Sequence, residues 1–548
     1  MVQILILLIL LLVLIIVVSS EIQSSQSSSS SNSLQTQTFP PSPDIVIIGA
    51  GTAGCVVARR LSQQFPHKTI VLLERGGDHS NNPVVYNPKN GPIAAYQEPF
   101  SQVLTTNFPN VNISLASMFG GGSSHNFSLA VKGSPNFYNS EWEKALGLTY
   151  LELQPYFTKI DEMMAISQLP VLIDLKSKIL PVLSLGLTQL IKSITIFLNL
   201  GPLRASDSFS NVVVKSVSRT KTVPIVNNYN ESITNCTSKI PQIFVDSTTG
   251  IRQNTFNTYL PDNYLKTAKN LTIIPNANVT HVGSNFVTWK QSNSKEVKIT
   301  QSNKIILAAG AVYTPFLLLK SGLSHVGQDL QNHYGCQMIC SIEGVDKFSS
   351  GPVSFVNYLP NSRNRDWQLT VSGSVDNRLL EHQHVPPKSN TFTFLLWRLN
   401  CRSRGTVTAS GSIPTVNLNM FTDGDLSDPN SDMSCILEGL RWTYTVVKEI
   451  RKDYPTIKVL YPPESVLIQN DSNVLTRHVL TGVSVTDHYC ATCPLGTFVN
   501  PTDFSLINNP TISIVDASVF PHISDGNTTY PVLVMAEVAA DRILESLK

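Results

Sequence analysis

The chain has 548 residues, a net charge of +2 and 14% charged side chains, well below the roughly 25% of ordinary globular proteins. Such a length buries a large core and suits two or more closely packed domains. No basic stretch is dense enough for nucleic acid, and eight cysteines are too sparse for a disulfide-stapled scaffold.

The first segment, MVQILILLILLLVLIIVVSS, holds an unbroken apolar run from Ile4 to Val18. That length suits a signal-peptide core and is short for a membrane span, so residues 1–20 read as a signal peptide, or as an uncleaved signal-anchor. Residues 21–43 form a Ser/Gln-rich tether with too little apolar matter to fold. Asn112, Asn230, Asn235, Asn270, Asn278 and Asn470 open N-x-Ser/Thr sequons. With the leader, they predict a glycosylated protein of the secretory pathway, secreted or membrane-anchored with a lumenal or extracellular catalytic domain.

From Asp44 the pattern DIVIIGAGTAGCVVARRL…TIVLLERG predicts strand, glycine turn, helix and strand. Ile45 to Ile48 are continuously apolar, as in a buried parallel strand. Gly49 permits the tight turn, Gly51 lets backbone approach a pyrophosphate, and Gly54 lets helix and strand pack closely. The following helix offers free N–H groups and the positive end of its dipole to that anion. Glu74, ending the second strand, can accept both ribose hydroxyls of an adenosine. In this context the G-x-G-x-x-G pattern is a strong dinucleotide signal.

Residues 119–137, FGGGSSHNFSLAVKGSPNF, are a second glycine-rich stretch. Ser123, Ser124 and Asn126 there can wrap a planar ligand, or the stretch is a flexible surface loop. Residues 171–200 are mostly apolar with three lysines, and read as a helical hairpin or lid, or as an interfacial element meeting a membrane. KIILAAGA predicts another buried strand entering a small-residue turn, with a helix starting at Thr314-Pro315. Residues 351–424 alternate as an antiparallel sheet does, and the chain ends in strand, loop and amphipathic helix. The stretch HYCATCPLG, residues 488–496, is open to three readings: a metal or redox centre, a disulfide, or a catalytic histidine. A structural zinc site would need a second ligand pair beside Cys490 and Cys493.

In this order, these motifs resemble the glucose–methanol–choline (GMC) family of FAD-dependent oxidoreductases from Asp44 to the C-terminus. The resemblance implies an α/β fold: a Rossmann-like FAD-binding domain with a discontinuous substrate domain on an antiparallel sheet. It sets residues 44–335 as the N-terminal FAD-binding region with a lid or insertion at 165–245, and 336–475 as mainly the substrate sheet. Residues 476–548 return to the FAD domain with the catalytic residues. The first motif implies Gly49, Gly51, Thr52, Ala53, Gly54, Glu74 and Arg75 as FAD contacts. FGGGSSHN is similar to the flavin loop, placing Gly120, Gly121, Gly122, Ser123 and Asn126 by the cofactor. Val279, Ala309, Gly310, Asp516, Ala517, Asn527 and Thr528 complete that set, and VGQDLQNH, ending at His333, resembles a further family segment. Asn126 and Asn527 also open sequons, but the resemblance implies that both are buried and unmodified.

HYCATCPLG resembles the family block that carries the catalytic histidine, which is His488 here, with Ala491 where the family has glycine. Asn527, in GNTTYP, then supplies the second polar group. The implied activity is oxidation of a primary alcohol to its aldehyde by hydride transfer to flavin N5, with His488 as base and O2 or a quinone-like molecule as final acceptor. No metal is implied. Two other readings are a hydroxynitrile lyase with structural FAD and a degenerate, non-catalytic GMC-like protein.

Overall fold

A computed structural model describes residues 40, 42–88, 91–168, 208–221, 224–226, 236–238, 242–246, 249–343, 354–357, 366–372 and 390–548. The leader, most of the tether, residues 171–200 and the sequons at Asn230 and Asn235 lie outside these. No helix among the described residues is long and apolar enough to cross a membrane.

Four short strands form the centre of a parallel sheet: β1 (Ile45–Ile48), β2 (Ile70–Leu73), β3 (Leu271–Ile274) and β4 (Lys304–Leu307). Their order is β3–β2–β1–β4, extended by Asn509–Ile514 and, antiparallel at the edge, Ser505–Leu506. Every residue of β1, β2 and β4 is buried, which is why these strands read as apolar runs rather than alternations. Helix α1 (Thr52–Gln64) packs against the C-terminal helix Thr529–Ser546. The fully buried Glu537 of that helix is matched by Arg60, by Lys159 at 2.7 Å and by the Tyr259 hydroxyl at 3.0 Å. The expected α/β class is found, with the cofactor sheet assembled from segments more than 450 residues apart in sequence.

The second sheet is eight-stranded among the described residues and mainly antiparallel. Its centre is Tyr334–Ser341, Thr391–Arg398 and Trp367–Ser372, and Ser484–Val485 pairs with the start of the first of these. The 19-residue helix Asp432–Ile450, not anticipated from the sequence, covers one face of it. It sits so close that a β-carbon on Gly439 would lie 2.5 Å from the Leu396 side chain.

One helix boundary differs from the expectation. The helix expected from Thr314-Pro315 begins at Gly310, so Pro315 falls inside it. A proline there cannot bond to the carbonyl four residues back, Ala311. The Thr492 hydroxyl donates to that carbonyl instead, at 2.7 Å, tying the 488–496 segment to the helix that follows β4.

Candidate active site

A single cavity of about 620 Å³ runs from the ends of β1 and β2 to the second sheet. Its volume falls within the roughly 300–1,000 Å³ range of small-molecule and cofactor sites.

At one end two glycine turns face each other. Gly49 has φ +102°, and a β-carbon there would sit 2.4 Å from the Ala308 carbonyl oxygen. Gly121 has φ +52°, and its β-carbon would sit 2.7 Å from Gly51 Cα, whereas one on Gly51 would meet nothing nearer than 3.8 Å. Gly51 is therefore bare toward the cavity. Gly120 N–H donates to Ala50 O at 2.8 Å and joins the two turns. Two helices begin at this cavity without a side-chain cap, α1 after Gly51 and the C-terminal helix after Thr528. Free N–H groups and two positive dipole ends thus face the cavity, and Gly51 leaves room there for close backbone approach, which fits a dinucleotide diphosphate.

Thr52, Ala53, Arg75, Val279, Ala309 and Ala517 line the same cavity, as do Gly122, Thr528 and Asn126. Glu74 lines it too, with Oε2 accepting from Ala50 N–H at 2.7 Å and Oε1 from Gly76 N–H at 2.8 Å. Each oxygen keeps a lone pair for a ribose hydroxyl, and burial holds the carboxyl above its usual pKa. Arg75 stacks over Tyr313 at 3.9 Å. Asp516 clamps two helix starts: Oδ2 accepts from Gly310 N–H at 2.9 Å and Thr314 Oγ1 at 2.6 Å, while Oδ1 accepts from Ser518 N–H at 2.8 Å.

Three expected cofactor residues stand behind the cavity wall rather than on it. Gly54 packs α1 on the Gly49 carbonyl, at a spacing that a β-carbon would violate at 1.9 Å. Gly120, at φ +83°, shapes the second turn, and Ser123 turns away to donate to Gly120 O at 2.6 Å.

At the other end His488 and Asn527 meet, with Asn527 Nδ2 3.4 Å from His488 Nε2. The pairing of Ser484–Val485 with Tyr334–Gly335 runs the 488 segment beside residues 331–333. Gln331 and Cys490 exchange backbone hydrogen bonds of 3.1 Å each way, and His488 N–H donates to Asn332 Oδ1 at 2.9 Å. His333 is thereby set against His488, with their Nδ1 atoms 2.9 Å apart. The sequence motif contained His333 without assigning it a role; its partner is defined only by the strand pairing.

Only one of these two Nδ1 atoms can carry the shared proton. The Asn527 amide can only donate toward His488 Nε2, so we assign His488 its N–H at Nδ1 and His333 an acceptor at Nδ1, which leaves the His333 N–H at Nε2, buried and without a hydrogen-bond partner among the described residues. His488 then donates through Nδ1, and its Nε2 lone pair faces Asn527 Nδ2 and the cavity. Burial pulls the His488 pKa down to about 3 and that of His333 well below the usual range, keeping both neutral near pH 7. Asp487, half-buried at φ +58°, accepts from Ser114 N–H at 3.2 Å and from the Tyr489 hydroxyl, and burial raises its pKa to about 6.

Cys490 and Cys493 are buried free thiols, and no group of metal-ligating side chains occurs among the described residues. Both sequon asparagines expected to be buried are half-buried on the cavity wall: Asn126 bonds to Thr529 and Arg252, and Asn527 to His488. Asn112, Asn278 and Asn470 are exposed, whereas Asn270 donates its amide to the carbonyls of Ser62, Phe65 and Lys68.

Two family models, each described as GMC oxidoreductase, match residues 43–335 and 401–536. An alcohol dehydrogenase [acceptor] from Pseudomonas putida is 24% identical over 92% of this chain and 96% of its own length. An alcohol oxidase from Candida boidinii is 30% identical over 22% of this chain and 19% of its own. Among solved structures, formate oxidase from Aspergillus oryzae superposes with a TM-score of 0.72 at 19% identity, covering 93% of this chain and 99% of that one. A fungal aryl-alcohol oxidase gives 0.67 at 16% identity, covering 93% and 100%.

Proposed function

Because the chain belongs to the GMC oxidoreductase family and is an FAD-dependent oxidoreductase acting on a small molecule, we propose that it oxidises a primary alcohol to the aldehyde. The observation that carries this reading is the His488–Asn527 pair on the cavity wall, with His488 held neutral. The alcohol hydroxyl proton goes to His488 Nε2, and the imidazolium so formed keeps its Nδ1–H on His333. The Asn527 amide donates to the substrate oxygen as charge builds there. FAD, when bound, supplies the acceptor for the hydride that leaves the carbon. Asn332 and the Gln331–Cys490 bonds hold the His488 backbone, so the base meets its substrate in one orientation. The electrons then pass to O2 or to a quinone-like acceptor.

The test is an absorption spectrum of the purified protein before and after anaerobic addition of a panel of primary alcohols. Flavin absorbance should bleach with at least one of them. Bound flavin that no alcohol in a broad panel bleaches would overturn the reading.

The apolar leader and the exposed sequons Asn112, Asn278 and Asn470 support passage through the secretory pathway. Treatment of the protein from its native source with a peptide N-glycosidase should lower its apparent mass. An unchanged mass would count against that route, and recovery in the membrane pellet would favour attachment through the N-terminal segment or residues 171–200.

A further inference from the structure

Arg252 is fully buried, and no carboxylate pairs with it among the described residues. Its Nε donates to Val85 O at 3.0 Å, and its Nη1 to both Asn126 O at 2.7 Å and Asn126 Oδ1 at 2.8 Å. Nη2 has no partner. All three acceptors are neutral. The other buried guanidinium among the described residues, Arg398, is matched by Asp366 at 2.6 Å; half-buried Arg60 is matched by Glu537 and Asp541, and half-buried Arg542 is held by the carbonyls of Pro501 and Leu146. Burial pulls the Arg252 pKa down to about 9, which leaves it cationic at neutral pH. A fixed buried charge without a counter-ion is costly, and a fold retains one where something else supplies the opposite sign.

The charge lies directly behind the cavity wall. Asn126 lines the cavity, and its Nδ2 spans to Thr529 Oγ1 at 3.0 Å, at the start of the C-terminal helix. With Oδ1 drawn back by the guanidinium, the second Nδ2 hydrogen remains for a ligand. His125, also on the cavity wall, feels the same charge: burial and then Arg252 pull its pKa to about 4. The residues after Arg252 brace the flavin-loop glycines from behind, with Thr255 N–H donating to Ser123 Oγ at 3.0 Å.

We propose that Arg252 is a cofactor-positioning residue, the buried counter-charge to the FAD diphosphate, acting through the Asn126 side chain it locks. The proposal rests on the FAD site and not on the alcohol reading. The protein without FAD carries an uncompensated cation, and the loaded protein does not. Removing the charge therefore harms the loaded state alone, whereas a residue needed only for packing would harm both.

The experiment strips FAD from the full-length protein and from Arg252→Met and Arg252→Gln, then measures rebinding by flavin fluorescence, with ADP and adenosine as competitors. Thermal unfolding is followed with and without FAD. In Arg252→Met, FAD and ADP should bind roughly 10- to 100-fold more weakly, the weight of a hydrogen-bonded charge, while adenosine changes less than about twofold. The FAD-free midpoint should stay at or above that of the wild type. Equal weakening of ADP and adenosine, or an FAD-free midpoint lowered as far as the loaded one, would overturn the proposal. Arg252→Gln keeps one amide donor and removes the charge together with the Nε bond to Val85, so it carries the same comparison if the methionine variant fails to fold. Unchanged ADP affinity in it would be equally fatal.

Discussion

At the cofactor end of the cavity the working groups are mostly backbone amides, beside the Glu74 carboxylate, held in shape by Gly49, Gly120 and Gly121, which leave no room for a β-carbon. At the substrate end they are side chains brought together from three distant segments, around 333, 488 and 527. The first design depends on residue type at fixed local spacing, and the second on which strand pairs with which. The two ends should therefore fail separately, one losing FAD and the other losing only rate.

The largest effect is expected from the substrate end. His488→Ala removes the group proposed to take the hydroxyl proton, and kcat should fall roughly 10²- to 10⁴-fold on any alcohol the protein oxidises. FAD affinity, read from flavin fluorescence, should stay within about twofold, since no cofactor-end contact involves that ring. A colourless variant would show that the two ends are not independent.

The opposite failure comes next. Gly121→Val forces a β-branched residue into φ +52° and places its β-carbon 2.7 Å from Gly51 Cα. The two turns must part, and FAD should bind roughly 100-fold more weakly, from strain and overpacking combined. Far-ultraviolet circular dichroism should show the fold retained, and residual loaded protein should turn over near the normal rate.

The same contrast explains what the sequence disclosed. Gly49, Gly51 and the buried run Ile45–Ile48 were legible because a nucleotide cradle needs those residues at that spacing. His488 and Asn527 were legible only through motif resemblance, and their meeting is a tertiary fact. Arg252 gave no signal, since its meaning lies in having no carboxylate nearby, which only burial and packing reveal. The role of Thr492 was equally hidden, because the carbonyl it satisfies is orphaned by Pro315, far away in sequence.

A smaller effect should separate base from support. His333→Phe keeps a ring against His488 but removes the acceptor for its Nδ1–H, so kcat should drop about tenfold, the weight of one hydrogen bond to a group that becomes charged. A second readout reports on charge alone. His333 has its folded pKa depressed by burial, so the folded protein stays neutral there while the unfolded chain takes up a proton below about pH 6.5. Stability is therefore lost as pH falls from about 6.5, at up to about 1.4 kcal/mol per pH unit for this group. The phenylalanine variant should lose one proton from that acid slope, measured as unfolding midpoint against pH. An unchanged slope would mean that His333 already takes up its proton in the folded state.

The smallest effect sits between the two ends. Ala491, three residues after His488, has φ +66°, a left-handed conformation that favours glycine, and it is fully buried. Its N–H donates to Ala517 O at 3.0 Å, joining the histidine segment to the cofactor domain. Ala491→Gly relieves about 1–2 kcal/mol of backbone strain. It gives back roughly 0.5–1 kcal/mol in unfolded-chain entropy and about 0.8 kcal/mol in lost methyl burial. The three terms nearly cancel, so denaturant unfolding should show a change within about 0.5 kcal/mol, where an ordinary buried alanine would lose the latter two terms in full. A loss above about 1 kcal/mol would mean that the strain is absent and that this junction holds alanine without cost.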